Sequence, residues 1–168
     1  NATGFTQFEY GISAKWLELL KEVAPDVTRA AILRDSTLMP SMSQFAAVQP
    51  VAQSLGVELN PIDTRDPSDI ERNVAAFAAK AHGGLILVTG ASGIIHRELI
   101  IAQAARHKLP AIYHRRFFAA AGGLLSYGPD QINQYRSAAG YIDRILKGEK
   151  PADLPVQAPT KYELVINL

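Results

Sequence analysis

The 168-residue chain has the length of one compact domain with a sizeable core, and its 48% hydrophobic and 20% charged residues are ordinary for a globular protein. The formal net charge of +1 gives no electrostatic reason to expect a nucleic-acid partner. The absence of cysteine excludes disulfides and thiolate chemistry, and no apolar stretch approaches the roughly 20 residues of a membrane-spanning helix.

The first half of the chain alternates predicted helices with short apolar strands. Residues 9–23 carry apolar side chains at helical spacing, and residues 28–35 form a short apolar run typical of a strand buried on both faces. The helix that follows contains Pro50, which predicts a kink or an interrupted start. Residues 57–63 form the next strand, and Pro61 within it favours an edge position because proline cannot donate to a ladder.

The alternation continues to the carboxyl end. Ser68 is the predicted N-cap of a third helix, and residues 83–90 form the most apolar strand, which we expect at the centre of the sheet. A helix over 92–108 is predicted to turn its apolar side chains inward, namely Ile95, Leu99, Ile100 and Ala102 to Ala105. The remaining predicted elements are a strand over 109–114, a short helix over 115–121, a strand over 122–128, a long amphipathic helix ended by Gly148, and extended segments at Val156 and over 162–168.

Strands separated by helices of this length are typical of βαβ units. Right-handed crossovers place the helices on both faces of such a sheet. The sequence therefore predicts an α/β fold, with a doubly wound and mostly parallel sheet formed as a single lobe by residues 1–168.

The segment "GGLLSYGPD" (122–130) has the glycines and the helix start of a phosphate-binding loop but lacks the rest of that motif. Its first two glycines precede the strand, Pro129 removes an amide donor, and Asp130 adds a negative charge. Both residues suit an ordinary helix start, so phosphate binding is not expected here.

The histidines form no metal or catalytic motif. His96 and Glu98 point to different helix faces, and His107 ends a helix, where a cation suits the dipole. His114 differs from them because it follows the carboxyl end of a strand. No serine lies in a G-x-S-x-G elbow and no carboxylates form an acid/base pair, so we expect no enzyme, no cofactor and no metal.

The candidate site follows from position, because ligands of open α/β sheets bind outside the carboxyl ends of the strands. Those ends carry hydroxyls, an acid, an imidazole and an aromatic ring, a set that suits a small polar or zwitterionic ligand. They are residues 35–37, 63–65, 89–92, 113–115 and 126–128. Two alternatives stay open: the Ser and Thr residues are also good helix N-caps, and Asp35 and Asp63 are also candidates to close their own loops.

Three segments of the sequence resemble the substrate-binding proteins of ABC transporters. They are "KWLELLKEVAPDVTRAAIL" after "NATGFT", "HRELIIAQAARHKLPAIYHRRFFAAAGGLLSYGPD", and "AAGYIDRILKGEKPADLPVQAPTKYELVINL". More narrowly, the chain is similar to the bacterial branch whose better-understood members bind aromatic amino acids. The resemblance implies one lobe of a two-lobed type I periplasmic binding fold, exported to the periplasm and working with an ABC transporter permease.

In this resemblance residues 1–7, 122–129 and 154–168 correspond to hinge-crossing segments, and glycines 122, 123 and 128 are expected to give the hinge backbone freedom. The chain then corresponds mainly to the second lobe. The long helix is expected to pack against the other lobe and to leave apolar residues uncovered in this chain, which predicts a homodimer. Those residues are Ile132, Tyr135, Ala139, Ile142 and Ile145.

The ligand-binding residues implied by the resemblance are Asp35, Ser36, Thr37, Thr89, Gly90 and His114, with Tyr127 at the hinge. Asp35 is a candidate to bind a ligand ammonium, and the amides around Ser36 and Thr37 or over 90–92 are candidates to bind a carboxylate. Two other classes of protein remain open. One is an enzyme on the same scaffold that would use His114 with Asp35 or Asp63. The other is the effector-binding domain of a transcription regulator.

Overall fold

The computed structural model describes residues 1–7 and 11–167, so the start of the helix predicted over 9–23 lies partly outside the described residues. The helices are α1 (Ile12–Val23), α2 (Met39–Ser54), α3 (Pro67–Ala78), α4 (Ala91–Ile95), α5 (Arg97–Arg106), α6 (Arg116–Ala120) and α7 (Gln131–Leu146). The strands are β1 (Arg29–Arg34), β2 (Glu58–Asp63), β3 (Gly83–Leu87), β4 (Ala111–Tyr113), β5 (Leu125–Pro129) and β6 (Tyr162–Ile166).

The described strands form one sheet in the order β2-β1-β3-β4-β5-β6. The first five strands run parallel, and β6 pairs antiparallel with β5. This confirms the predicted α/β fold with a mostly parallel sheet. The edge position predicted for β2 from Pro61 is also confirmed, as is the interior position of β3, whose five residues are all buried.

Alternating side chains of the strands form two hydrophobic cores, one on each face of the sheet. On one face Ile32 and Ile86 pack with residues of α1 and α2, including the fully buried Trp16. On the other face Leu33 and Leu87 pack with residues of α3, α5 and α6. Burying an aliphatic side chain of this size contributes about 1.5–3 kcal/mol, so both cores hold the strand ends in place.

Several local predictions were wrong. The N-cap of α3 is Asp66 rather than Ser68, because the Asp66 carboxylate accepts hydrogen bonds from the Ser68 and Asp69 amides. The helix predicted over 92–108 is two helices that meet at His96, and Ile95 before that break is 75% exposed. Within α5, Ile100 and Ala104 are buried as predicted, whereas residues 102 and 105 are exposed. The helix α2 continues through Pro50, so this proline does not interrupt its start.

Two of the three glycines assigned to hinge freedom have a different physical role. Only Gly122 has a positive φ, of 104°. A Cβ atom at Gly128 would lie 2.2 Å from the carbonyl oxygen of His114, and one at Gly123 would lie 2.6 Å from the Tyr113 ring. These two glycines are therefore required because other groups approach their backbone closely.

The helix α7 lies against the terminal segments rather than on the sheet. The Tyr141 ring contacts the Phe5 ring at 4.9 Å, and its hydroxyl donates to the Pro155 carbonyl. Next to it, the segment at Phe5 pairs with Gln157 in a parallel bridge. The predicted exposure of apolar residues on α7 agrees with the structure, in which Ile132, Tyr135 and Ile142 are each more than half exposed.

Candidate functional site

The carboxyl ends of the five parallel strands meet at one edge of the sheet, as the fold requires. Their polar side chains divide into two groups, which we name by their central chemistry. The carboxylate network, at the ends of β1 and β2, consists of Asp35, Ser36, Thr37, Asp63, Thr64, Arg65 and Ser92. The imidazole pocket, at the ends of β3, β4 and β5, is lined by Gln7, Ile12, Trp16, Gln44, Thr89, His114, Arg115 and Pro129.

Asp35 is buried in the carboxylate network, and both of its carboxylate oxygens accept hydrogen bonds. The amide and the hydroxyl of Thr37 donate to Oδ1 at 2.9 and 2.6 Å. The Ser92 hydroxyl approaches Oδ2 at 3.3 Å and lies 2.6 Å from the Thr64 hydroxyl. The bonds from Thr37, which outweigh the cost of burial, lower the pKa of Asp35. Its bond to the Thr37 amide is the loop-closing bond that the sequence left as an alternative.

Asp63 closes the neighbouring loop in the same way. Its carboxylate accepts hydrogen bonds from the Arg65 amide and the Arg65 Nε, both at 3.0 Å, and from the Ser36 hydroxyl. Burial opposes ionisation of Asp63, but the bonds from Arg65 and Ser36 outweigh it and lower its pKa to about 2. The network is therefore ionised at neutral pH, and each of its carboxylates already has hydrogen-bond donors.

The imidazole pocket contains the unsatisfied polar group His114, which is 3% exposed at the end of β4. Neither ring nitrogen has a hydrogen-bond partner among the described residues. Burial, and secondly the nearby charge of Arg115, lower the pKa of His114 to about 3. The Leu87 backbone opposes this shift through a polar contact, whose geometry is too poor for a hydrogen bond that would satisfy either ring nitrogen. His114 is therefore neutral at pH 7, with one nitrogen able to donate and the other able to accept.

Thr89 and Gln44 form the polar side of the imidazole pocket. The Gln44 Oε1 accepts from the Thr89 amide at 2.9 Å, and its Nε2 donates to the Thr89 hydroxyl at 3.2 Å. These bonds position the Thr89 hydroxyl beside His114. The pocket has a volume of about 10 Å³, roughly the space of one water molecule, so these residues do not by themselves enclose a larger ligand.

The structure brings Thr89 and His114 together in one pocket and places Asp35, Ser36 and Thr37 in the separate network. Gly90 lies beside the network, since a Cβ atom there would be 3.5 Å from that of Asp35. The Tyr127 ring packs on the core and stacks on Tyr162 with 5.7 Å between ring centroids. The main chain of Tyr127 is bonded to a pocket residue, because its carbonyl accepts from the Trp16 indole at 2.7 Å.

Sequence analysis missed Gln44 and Trp16 as parts of the pocket. Gln44 is buried at a position of α2 that faces the core together with Ser41 and Val48. A glutamine among apolar positions at helical spacing is therefore the signal that was available. Trp16 gave no such signal, because a tryptophan on an apolar face predicts only a core position.

The described part of the chain has neither a cluster of metal-ligand side chains nor a membrane-spanning helix. Within residues 1–7 and 11–167, no group of three or more His, Asp or Glu side chains is arranged to hold a metal ion. Among the helices of the same residues, none is long and apolar enough to cross a membrane.

A doubly wound lobe with polar groups at the carboxyl edge of its sheet belongs to the class of α/β ligand-binding domains. The family model described as ABC transporter substrate binding protein matches residues 1–168, and the chain belongs to this family. A search of curated proteins found no match.

Solved structures share the fold at low sequence identity. A conserved domain protein from Vibrio cholerae is 23% identical with a TM-score of 0.85, and the match covers 99% of this chain and 55% of that one. An ABC domain from Streptococcus pneumoniae in complex with L-Trp is 21% identical (TM-score 0.79; coverage 98% and 55%). A ligand-free, open substrate binding protein from Clostridium difficile is 20% identical (TM-score 0.74; coverage 98% and 55%). The chain therefore spans about half the length of these solved relatives.

Proposed function

We propose that the protein is the solute-binding component of an ABC uptake transporter and that this chain forms one lobe of a two-lobed binding cleft. The observation that carries this proposal is the imidazole pocket, in which the buried His114 has two unpaired nitrogens. A buried polar group without a partner costs about 1–3 kcal/mol, and a ligand that supplies the partner recovers that free energy. The family match over the whole chain supports the same role.

The ligand that we propose is an amino acid or a related small carboxylate. The pocket offers a neutral imidazole, a hydroxyl and the guanidinium of Arg115, which together suit a ligand with both donors and an anionic group. Trp16 adds an aromatic wall. The L-Trp complex of the Streptococcus pneumoniae ABC domain supports this ligand class.

The predicted site residues take different roles in this proposal. Thr89 and His114 contact the ligand directly, because they line the same pocket. Asp35 acts by holding the loop of Ser36 and Thr37, which forms the rim of the cleft together with Gly90. Tyr127 supports the hinge through its contacts with Trp16 and Tyr162.

Binding would occur by hinge closure, in which the ligand has a higher affinity for the closed state than for the open state. The second wall of the cleft would come from another lobe, as the 55% coverage of the solved relatives suggests. The same lobe would cover the exposed apolar face of α7.

In the isolated 168-residue chain we propose that the exposed apolar face of α7 forms a homodimer. Light scattering of the unaltered chain should then give twice the chain mass. The Ile142→Ser variant should give the mass of one chain. A monomeric unaltered chain would exclude the dimer.

The proposed partners and location follow from the family. The full protein would deliver its ligand to an ABC transporter permease from the periplasm. The alternative of a regulator's effector-binding domain shares the fold, as a LacI family regulator from Bifidobacterium animalis shows with a TM-score of 0.68. The match to a substrate-binding family over all 168 residues favours transport. In the gene, an upstream signal peptide would support transport and an upstream helix-turn-helix would support the regulator.

A thermal-shift screen of the full-length protein with single amino acids and small carboxylates tests the proposed function. A ligand at 100 times its Kd should add about 2.7 kcal/mol to the free energy of unfolding and raise the melting temperature. His114→Asn should abolish the shift, whereas His82→Asn should retain it because His82 is exposed before the amino end of β3, at the opposite end of this strand from the pocket. The ligand class is wrong if none of these compounds raises the melting temperature while a sugar does so.

A further inference from the structure

Arg115 lines the imidazole pocket, and it differs from most other arginines of the chain in its burial and in the partners of its guanidinium. It follows His114 at the end of β4 and is half-buried. Its guanidinium donates to the Gln7 Oε1 at 3.1 Å. Among the described carboxylates none forms an ion pair with it. The charge of Arg115 is thus partly removed from water, and within residues 1–7 and 11–167 its one hydrogen-bond acceptor is the neutral amide of Gln7.

Its neighbour Arg116 has the opposite environment. Arg116 is exposed and forms an ion pair with Glu163 at 3.3 Å. In the carboxylate network, Arg65 likewise pairs with Asp63 at 3.0 Å. Burial lowers the pKa of Arg115, and the nearby Tyr135 only partly offsets this effect. A guanidinium held in this way remains charged, because the pKa of arginine lies far above neutral pH.

A half-buried cation without a counter-ion raises the free energy of the folded protein unless an anion binds to it. The other groups of the pocket do not supply that anion. Gln44 and Thr89 are neutral, and His114 is neutral at pH 7. The pocket therefore presents a fixed positive charge beside neutral donors and acceptors, a combination suited to a carboxylate.

We infer that Arg115 binds the carboxylate of the ligand and is the main determinant of selectivity for acids over neutral analogues. The inference rests on the proposed function, because it assigns a specificity residue to the same cleft. A planar guanidinium donates two parallel N–H bonds to a carboxylate, whereas a primary amide offers a single oxygen without a charge. The neutral His114 beside it does not compete for the anion and leaves the charge recognition to Arg115.

The test is a thermodynamic cycle between protein and ligand, measured by titration calorimetry on the full-length protein. The first probe pair is L-tryptophan and L-tryptophanamide. If another amino acid binds most strongly in the screen, that amino acid and its amide replace this pair. In the unaltered protein the acid should bind about 10- to 100-fold more tightly than the amide, the value of a charge-assisted bond. In Arg115→Gln this ratio should fall to about threefold or less, and Arg115→Lys should retain an intermediate ratio.

Arg116→Gln is the matched control, because it removes an adjacent exposed arginine and should leave the acid-to-amide ratio unchanged. Since the ratio compares two ligands on the same protein, it is independent of any stability lost in a variant; circular dichroism confirms folding. An unchanged ratio in Arg115→Gln would overturn the inference and leave the proposed function standing. Absence of binding by every acid to the unaltered protein would overturn the proposed ligand class and the inference with it.

Discussion

The carboxylate network and the imidazole pocket lie at the same edge of the sheet but differ in how their polar groups are satisfied. In the network, Asp35 and Asp63 accept bonds from backbone amides, hydroxyls and Arg65. In the pocket, His114 is more deeply buried than either carboxylate, yet its two nitrogens have no partner among the described residues. Buried polar groups are normally hydrogen-bonded. Other unsatisfied groups occur among the described residues, such as the Tyr113 and Ser126 hydroxyls, but of these groups only His114 lines the pocket, where an external partner could complete it.

The difference separates two kinds of residue that look alike in the sequence. Both groups include polar side chains that follow strand ends. The bonds of the network are internal and hold the loops after β1 and β2. Replacing a side chain of the network should therefore lower the free energy of unfolding first. In the pocket the His114 ring lacks such bonds, so replacing His114 should affect ligand affinity first.

The largest effect is expected when Asp35 is removed from the network. Asp35→Ala removes the acceptor of the Thr37 amide and hydroxyl and leaves the buried Ser92 hydroxyl with only the Thr64 hydroxyl, which should lower the free energy of unfolding by about 2–4 kcal/mol in urea denaturation. Asp66→Ala is the control, because Asp66 accepts from the Ser68 amide in the same way but is exposed. It should cost about 1 kcal/mol. Equal losses in the two variants would show that the network is not a stabilising unit.

The second prediction concerns pH and His114. The pKa of His114 is about 3 in the folded protein, below the 6.5 of a free histidine. Between these values the unfolded chain binds a proton that the folded protein does not, so stability falls as the pH is lowered. We expect a loss of about 2 kcal/mol between pH 6.5 and pH 5 from this group alone.

Urea denaturation across this pH range measures the effect, with His82 as the matched histidine. His114→Asn should flatten the pH dependence, whereas His82→Asn should preserve it; asparagine also tolerates the positive φ of position 82. If His114→Asn leaves the slope unchanged, His114 is not held neutral by burial and the contrast with the network fails.

The smallest effect is expected at Asp63, whose folded pKa of about 2 lies below its ordinary value of 3.8. A lowered carboxylate pKa contributes stability above pH 3.8 that is lost as the pH falls towards 2. Because the partner Arg65 is 55% exposed, solvent screening reduces the contribution to about 1 kcal/mol. Asp63→Asn should therefore be about 1 kcal/mol less stable at pH 5 and equal to the unaltered protein at pH 2. A difference that persists at pH 2 would contradict the assigned pKa.

The sequence predicted the fold well because its signals are local and periodic. Buried strands such as β3 are continuous apolar runs, and Pro61 alone was enough to place β2 at an edge. The errors occurred where two local rules competed. Asp66 and Ser68 are both good N-caps, and the carboxylate of Asp66, at the earlier position, accepts the hydrogen bonds from the first amides of the helix. Ile95 fitted the helical period, but the break at His96 turned it to solvent.

The site was predictable only as a set of positions. The parallel strand order placed Thr89 and His114 at one edge, as expected from their positions after β3 and β4. Which polar groups pair with one another depends on contacts distant in sequence. Trp16 reaches the Tyr127 carbonyl and Gln44 reaches Thr89, and neither contact follows from a motif. The division of the edge into a satisfied network and an unsatisfied pocket therefore required the three-dimensional structure.

The most direct test of the central claim is a crystal structure of the full-length protein with L-tryptophan or the strongest amino acid of the screen. The account predicts that polar ligand atoms lie within hydrogen-bonding distance of a His114 ring nitrogen and the Thr89 hydroxyl, while the bonds of Asp35 and Asp63 stay as they are. A ligand bound through Asp35 or Asp63, with both nitrogens of His114 still unpaired, would contradict it.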